Sequence, residues 1–138
     1  MERSAESLAR EAIEDFNRLA WAGVIEVDEQ ARSFWVEEPV IVPFRAALEG
    51  NEYRGPTALE DFTAASAEAW ERLRVDPVRV EELADGSALV YAEMTTVARE
   101  TGIETKAPIV LHMVTRGGLI ASLRTFLSEA DALRAVGR

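Results

Sequence analysis

Three glycine-bearing turn pairs in the C-terminal half constrain this chain more than anything else in it. In "VRVEELADGSALVYAEMTTVARETGIETKAPIVLHMVTRGGLIASLRTFL", residues 78 to 127, Asp85-Gly86, Thr101-Gly102 and Gly117-Gly118 separate stretches in which apolar and polar residues alternate. Glycine supplies the positive φ that a tight hairpin turn requires, and alternation with period two is the mark of a strand with one buried face. The segment therefore predicts a meander of four antiparallel strands, approximately 78–84, 87–99, 104–115 and 119–127.

Upstream the period changes. Ala5, Leu8, Ala12, Phe16, Leu19 and Ala20 recur at spacings of three and four, with Glu11, Glu14, Asp15 and Arg18 between them, which predicts an amphipathic helix over 4–20 capped by Ser4. A shorter helical piece follows over Val24 to Phe34. The stretch "EEPVIVPFRA", residues 37–46, is β-branched and broken by prolines, and so suits an edge strand better than a central one. After the turn "EGNEYRGP", the pair Thr57 and Glu60 has capping-box spacing, and Leu59, Phe62, Ala69, Trp70 and Leu73 continue at helical spacing. A second capping box, Ser128 to Asp131, opens a short C-terminal helix ending near Gly137. Helices, a short hairpin, a long helix and then a sheet make an α+β fold, with the helices expected on one face of a curling antiparallel sheet.

Composition narrows the function classes. At 138 residues the chain is one domain, 1–138, able to bury about two-thirds of its unfolded surface. It has no cysteine and one histidine, which removes disulfides, a thiolate nucleophile and zinc sets such as H-E-x-x-H; no metal and no cofactor is expected. The net charge is −10, with basic residues scattered, so neither nucleic acid nor an anionic membrane is an expected partner. "MERSAESLAREAIEDF" has charges where a secretory signal needs an apolar core, and the cytoplasm is the expected location.

The element order, together with "EYRGPTALEDF" and "GGLIASLRTFLSEADALRAVG", resembles the SnoaL-like group of the nuclear transport factor 2-like (cystatin-like, ketosteroid isomerase-like) superfamily over nearly the whole chain. Members often open the long helix with "y-x-G-x-x-a-l/v-x-x-f" and end on "y-x-d-x-x-e-A-l-x-a-x-G". The resemblance implies a sheet curled into a cone around the helices, with an internal pocket reached from its open end. Polyketide cyclases, ketosteroid isomerases, dehydratases, epoxide hydrolases and inert binding domains share that fold, so the activity must be sought in the residues.

The residues do not keep the better-defined chemistries. Matching "FNRLAWAGVIEV" to the isomerase helix puts Phe16 at its catalytic tyrosine, while its two aspartates fall near Pro43 and Ile109; the oxyanion arrangement that is a standard example for that enzyme has no counterpart here. "LVYAEMTT" and "SLRTFL" resemble limonene-epoxide-type hydrolases, but Met94 stands for the arginine and Thr96 and Thr125 for the two aspartates. A water-activating carboxylate pair is missing.

Parity divides the meander into two faces. By both comparisons the inward set is Val90, Ala92, Met94, Thr96, Ile109, Leu111, Met113, Leu123, Thr125 and Leu127. Tyr91, Glu93, Thr95, Val110, His112, Val114, Arg124 and Phe126 face out. Such a mixed outer face suits an interface, and relatives often dimerise there, so a homodimer through Tyr91, Glu93, His112, Arg124 and Phe126 is expected. His112 is then an interface or hydrogen-bonded surface histidine rather than a catalyst. A register shifted by one residue would instead bring Tyr91, Glu93, His112 and Arg124 into the pocket as an acid–base set.

Phe16, Trp35, Phe62 and Trp70 are candidates to wall a ligand pocket with the inward set, and Trp21 is a candidate rim residue. Glu37 and Glu38 are adjacent and point to opposite sides of a strand; Ser87 has no nucleophile-elbow context, and "RGGL" is a turn rather than a phosphate loop. The expected function is binding of a hydrophobic small molecule in an apolar pocket, with any isomerase or lyase step resting on Thr96, Thr125 or His112. One alternative is a non-catalytic dimeric binding or assembly module whose pocket is filled by side chains; another is a polyketide-cyclase-like enzyme, whose expected acid–base aspartate has no counterpart on the inner faces.

Overall fold

The computed structural model describes residues 4–23, 26–43 and 52–138. The element order is α1 (Ala5–Ala20), α2 (Glu29–Arg32), β1 (Trp35–Val42), β2 (Tyr53–Arg54), α3 (Ala58–Ala69), β3 (Trp70–Glu82), β4 (Ala88–Ala98), β5 (Glu104–Arg116), β6 (Leu119–Phe126) and α4 (Glu129–Ala135). The strands form one mixed sheet in the order β2-β1-β6-β5-β4-β3, antiparallel except where β1 runs parallel to β6. Gly86, Gly102, Gly117 and Gly118 take the positive φ that the three hairpins need.

The expected edge strand is a correction: β1 lies between β2 and β6. Its proline is tolerated inside the sheet because it falls where the register breaks, between Trp35 and Val40, so the missing N–H is not asked to join the β6 ladder. Residues 44–46 of that expected strand, residues 49–51 of the expected turn, and Val24 and Ile25 of the second helical piece lie outside the described residues. What is helical in that piece is α2 alone, capped by Asp28, whose carboxylate accepts from the Ala31 N–H at 2.9 Å.

The long helix is shorter than expected and the first meander strand longer. α3 stops at Ala69, where Trp70 takes an extended conformation and pairs with Ala98; Trp70 and Leu73 belong to β3. Leu73 fits a helical spacing from Trp70, but Leu73 and Val75 are both buried and already carry the strand period. Arg99 fixes this helix-to-strand change by donating to the carbonyls of Ala67 and Trp70. The Thr57–Glu60 capping box does not form: the Thr57 hydroxyl donates to Asp61 and Glu60 pairs with Arg32 instead. The Ser4 and Ser128 caps do form, each accepting from the N–H three residues on.

α1 lies across the inner face, and Leu8 and Ala9 pack into the main core with Val90, Ile109, Leu111 and Met113. Its polar tie to the sheet is Asn17, whose amide donates to the Val75 carbonyl at 2.7 Å and accepts from the Val75 N–H at 2.8 Å. β3 is an edge strand, so Asn17 supplies the pairing that a neighbouring strand would otherwise give. The expectation that all helices share one face is corrected by α4. It sits on the outer face, where Ala132, Leu133 and Val136 cover Leu89 and Val110.

Candidate functional site

The sheet and helices form a partly open cavity of about 160 Å³. α1 contributes Ala12, Phe16 and Leu19 to its wall; α3 contributes Leu59, Phe62 and Thr63; the sheet closes it with Ile41, Val90, Leu111, Met113 and Leu123. Phe16 and Phe62 meet with ring centroids 6.5 Å apart, and Tyr53 packs edge-on against Phe62 at 6.2 Å. An engineered apolar cavity of about 150 Å³ accepts a benzene molecule, so the space here suits one ring rather than several.

Of the candidate wall residues, Phe16, Trp35, Phe62, Ile109, Leu111, Met113, Leu123 and Thr125 line this cavity. Four do not. Trp70 lines a smaller neighbouring recess beside Phe62 and Arg99. Met94 and Thr96 are buried toward the β3 side, opposite Val75 and Leu73. Leu127 follows the last residue of β6 and is 55% exposed, because the strand period ends before reaching it. Phe16 and Ile109, two of the positions matched to the isomerase's proton-transfer groups, are in the wall, and Pro43 lies just past β1.

His112 sits on the outer face, opposite Leu89 on β4 and Arg124 on β6. Its Nε2 is 3.1 Å from the Ser87 Oγ, which donates to Asp85 Oδ1 at 2.5 Å; with the Ser87 proton committed to Asp85, the contact is filled by an Nε2–H donating to Ser87. Burial pushes the His112 pKa down, partly opposed by the Asp85 charge and reinforced by Arg124. The hydroxyl and backbone N–H of Ser87 hold the Asp85 carboxyl below its ordinary range. The order of the three groups places serine between carboxylate and imidazole, which stabilises a turn and does not activate a nucleophile. Around them, Arg79 stacks over Tyr91 at 3.9 Å and Arg124 over Phe126 at 5.2 Å.

The cavity wall also holds a carboxylate that falls among the polar positions of the α1 pattern. Asp15 is 6% exposed, and its Oδ1 accepts from Gln30 at 2.7 Å and from Arg18 at 2.9 Å. Arg18 reaches on to Asp28 at 3.0 Å, whose own pKa is lowered first by the Ala31 N–H and then by Arg18. Arg32 on α2 pairs with Glu60 on α3. α2 is thus strapped to both helices by charged groups, and the segment carrying it presents Val27, Ala31 and Phe34 to the cavity. The signal for Asp15 was in its spacing, seven residues after Leu8 and three after Ala12, which is on the apolar stripe.

No protein-family model matches the chain, and no curated protein is detectably similar to it in sequence. Solved structures share its fold. A nuclear transport factor 2-like protein of unknown function from Burkholderia pseudomallei superposes with a TM-score of 0.71 at 12% identity, covering 99% of each chain. A putative polyketide cyclase from Xanthomonas campestris pv. campestris reaches 0.72 at 17% identity over 97% of each chain. TerC, co-crystallised with polyporic acid, reaches 0.73 at 13% identity over 99% of this chain and 100% of its own.

Proposed function

On a nuclear transport factor 2-like fold with an apolar cavity inside it, we propose that this chain binds a hydrophobic small molecule in that cavity and works as a homodimer joined through the outer face of the sheet. The observation that carries the reading is the wall itself. Phe16, Trp35, Phe62, Ile109, Leu111, Met113 and Leu123 surround about 160 Å³ with apolar atoms, and Thr125 is one of few polar groups among the described lining residues. TerC, a structural neighbour, was crystallised with a small molecule, polyporic acid, which supports ligand binding as a use of the fold. Within this reading an isomerase or lyase step falls to Thr125 rather than Thr96 or His112, since Thr125 alone of the three lines the cavity. The dimer reading rests on half-buried Tyr91, His112 and Phe126 beside exposed Glu93 and Arg124. No helix among the described residues is long and apolar enough to cross a membrane.

Thermal stabilisation by a panel of one-, two- and four-ring apolar compounds tests it. A ligand that binds only the native state at about a hundred times its Kd stabilises by about 2.7 kcal/mol, a shift of several degrees in Tm. One-ring compounds are expected to give that shift and four-ring steroids to give less. No shift across the panel would favour the assembly module with a self-filled pocket.

A further inference from the structure

Resting on that binding reading, we propose that Asp15 is the cavity's polar anchor and that the ligand it selects is a protonated amine on an apolar body about one ring in size. Three observations converge. First, Asp15 is buried in the cavity wall, and its hydrogen bonds from Gln30 and Arg18 all end on Oδ1; among the described residues no donor reaches Oδ2. A carboxylate oxygen in an apolar wall that takes no donor from the described residues can accept one from a ligand, as a charge-assisted hydrogen bond.

Second, the charges do not balance within the protein. Arg18 serves two carboxylates, Asp15 and Asp28, so the trio carries one negative charge, and Glu26 adds another at the exposed end of the same wall. Among the described residues lining the cavity there is no lysine, arginine or histidine. A cation entering beside Oδ2 completes the pairing, whereas an anion would meet only carboxylates. Third, Phe16 and Phe62 stand together in the wall with ring centroids 6.5 Å apart, and aromatic rings attract an alkylated ammonium group where water is excluded. A tertiary amine fits most closely, having one N–H for one open oxygen and methyl groups for the rings.

The test uses a pair of probes of nearly equal shape, N,N-dimethylbenzylamine, protonated at pH 7, and its hydrocarbon counterpart isobutylbenzene, with p-cresol as a neutral hydroxyl donor. Dissociation constants are measured by NMR titration for the full chain and for Asp15→Asn, which keeps an acceptor for Gln30 and Arg18 but removes the charge. The unmodified chain is expected to bind the amine about tenfold more tightly than the hydrocarbon, and Asp15→Asn to reverse that order while still binding the hydrocarbon. An apolar cavity with no anchor would favour the hydrocarbon, so a hydrocarbon bound as well as the amine by the unmodified chain overturns the anchor and leaves the cavity reading standing. Tighter binding of p-cresol than of the amine overturns the cationic class. Binding of none of the three overturns the cavity reading, and the anchor with it. The ratio in the unmodified chain decides the matter even where Asp15→Asn fails to fold.

Discussion

The two faces of the sheet are built from the same four hairpin-linked strands, residue by alternate residue, yet they satisfy their polar groups in opposite ways. Inside, Val90, Leu111 and Met113 surround a cavity, and the one buried carboxylate there keeps an oxygen that no described group engages. Outside, the polar groups use one another: Asp85, Ser87 and His112 form a chain, Arg79 covers Tyr91, and Arg124 covers Phe126. A face whose polar groups are mutually satisfied can be dried by a partner surface or by its own helix at little cost. A face that leaves one polar atom open is selective about what fills it.

The largest test of the contrast is steric. Met113, 1% exposed, and Val114, half-buried, are neighbours on β5 that point to opposite faces. Met113→Ala is expected to cost about 2–5 kcal/mol in urea unfolding, since the cavity beside it enlarges and nothing collapses into it. Val114→Ala is expected to cost about 1 kcal/mol, in line with the smaller area it buries. Equal costs would mean that the outer face is as tightly packed as the inner one.

The helices extend the same comparison. α1 is fastened to the inner side partly by Asn17, and Asn17→Ala strands both the N–H and the C=O of Val75, which is 8% exposed. The expected loss is about 1–3 kcal/mol, with faster amide exchange at Val75 as the local sign. α4 is held on the outer side by apolar contact and begins at the Ser128 cap. Ser128→Ala should cost about 1 kcal/mol and expose Leu89 and Val110 without altering ligand binding in the cavity. A Ser128→Ala chain that lost ligand affinity would join the two faces that the packing separates.

Legibility in the sequence follows the physical signals behind each element. The hairpins were readable because glycines at Gly86, Gly102 and Gly117 sit where only a positive φ closes the turn. The cavity residues on β5 and β6 were readable because parity is fixed by those turns, and Leu127 was misplaced because parity does not say where a strand ends. Trp70 and Leu73 carry a helical spacing in sequence because three-residue spacing is common to a helix face and to a strand entered at a bulge, which is where the register shifts between Trp70 and Arg72. β1 was read as an edge because a proline excludes regular pairing, but a bulge excludes it just as well. The burial of Asp15 is not legible in sequence: a carboxylate on an apolar stripe is buried only when partners such as Arg18 and Gln30 are brought to it, and their convergence depends on where α2 lands.

The smallest predicted effect is electrostatic and belongs to the outer face alone. Burial, with the Arg124 charge acting in the same sense, lowers the proton affinity of folded His112 below that of a free histidine, although Asp85 pulls the other way. Between the ordinary histidine pKa of about 6.5 and the lower folded value, the unfolded chain therefore binds more protons than the native one. The stabilisation from keeping His112 neutral is complete above about pH 6.5 and is lost as pH falls through the folded value. His112→Gln retains a donor for Ser87 and cannot titrate, so the difference in urea midpoint between the two proteins should shrink as pH is lowered from 7.5 to 5. Carboxylates remote from His112 are common to both proteins and cancel from that difference; Asp85, which feels the His112 charge, is the exception. A difference independent of pH would mean that His112 protonates as readily in the fold as in water, and that the Ser87 contact yields to the charge. The same pH series on a diluted sample separates a histidine buried by its own strands from one buried by a second copy. In the first case dilution leaves the slope unchanged, and in the second it flattens the slope as the copies part and the imidazole returns to water.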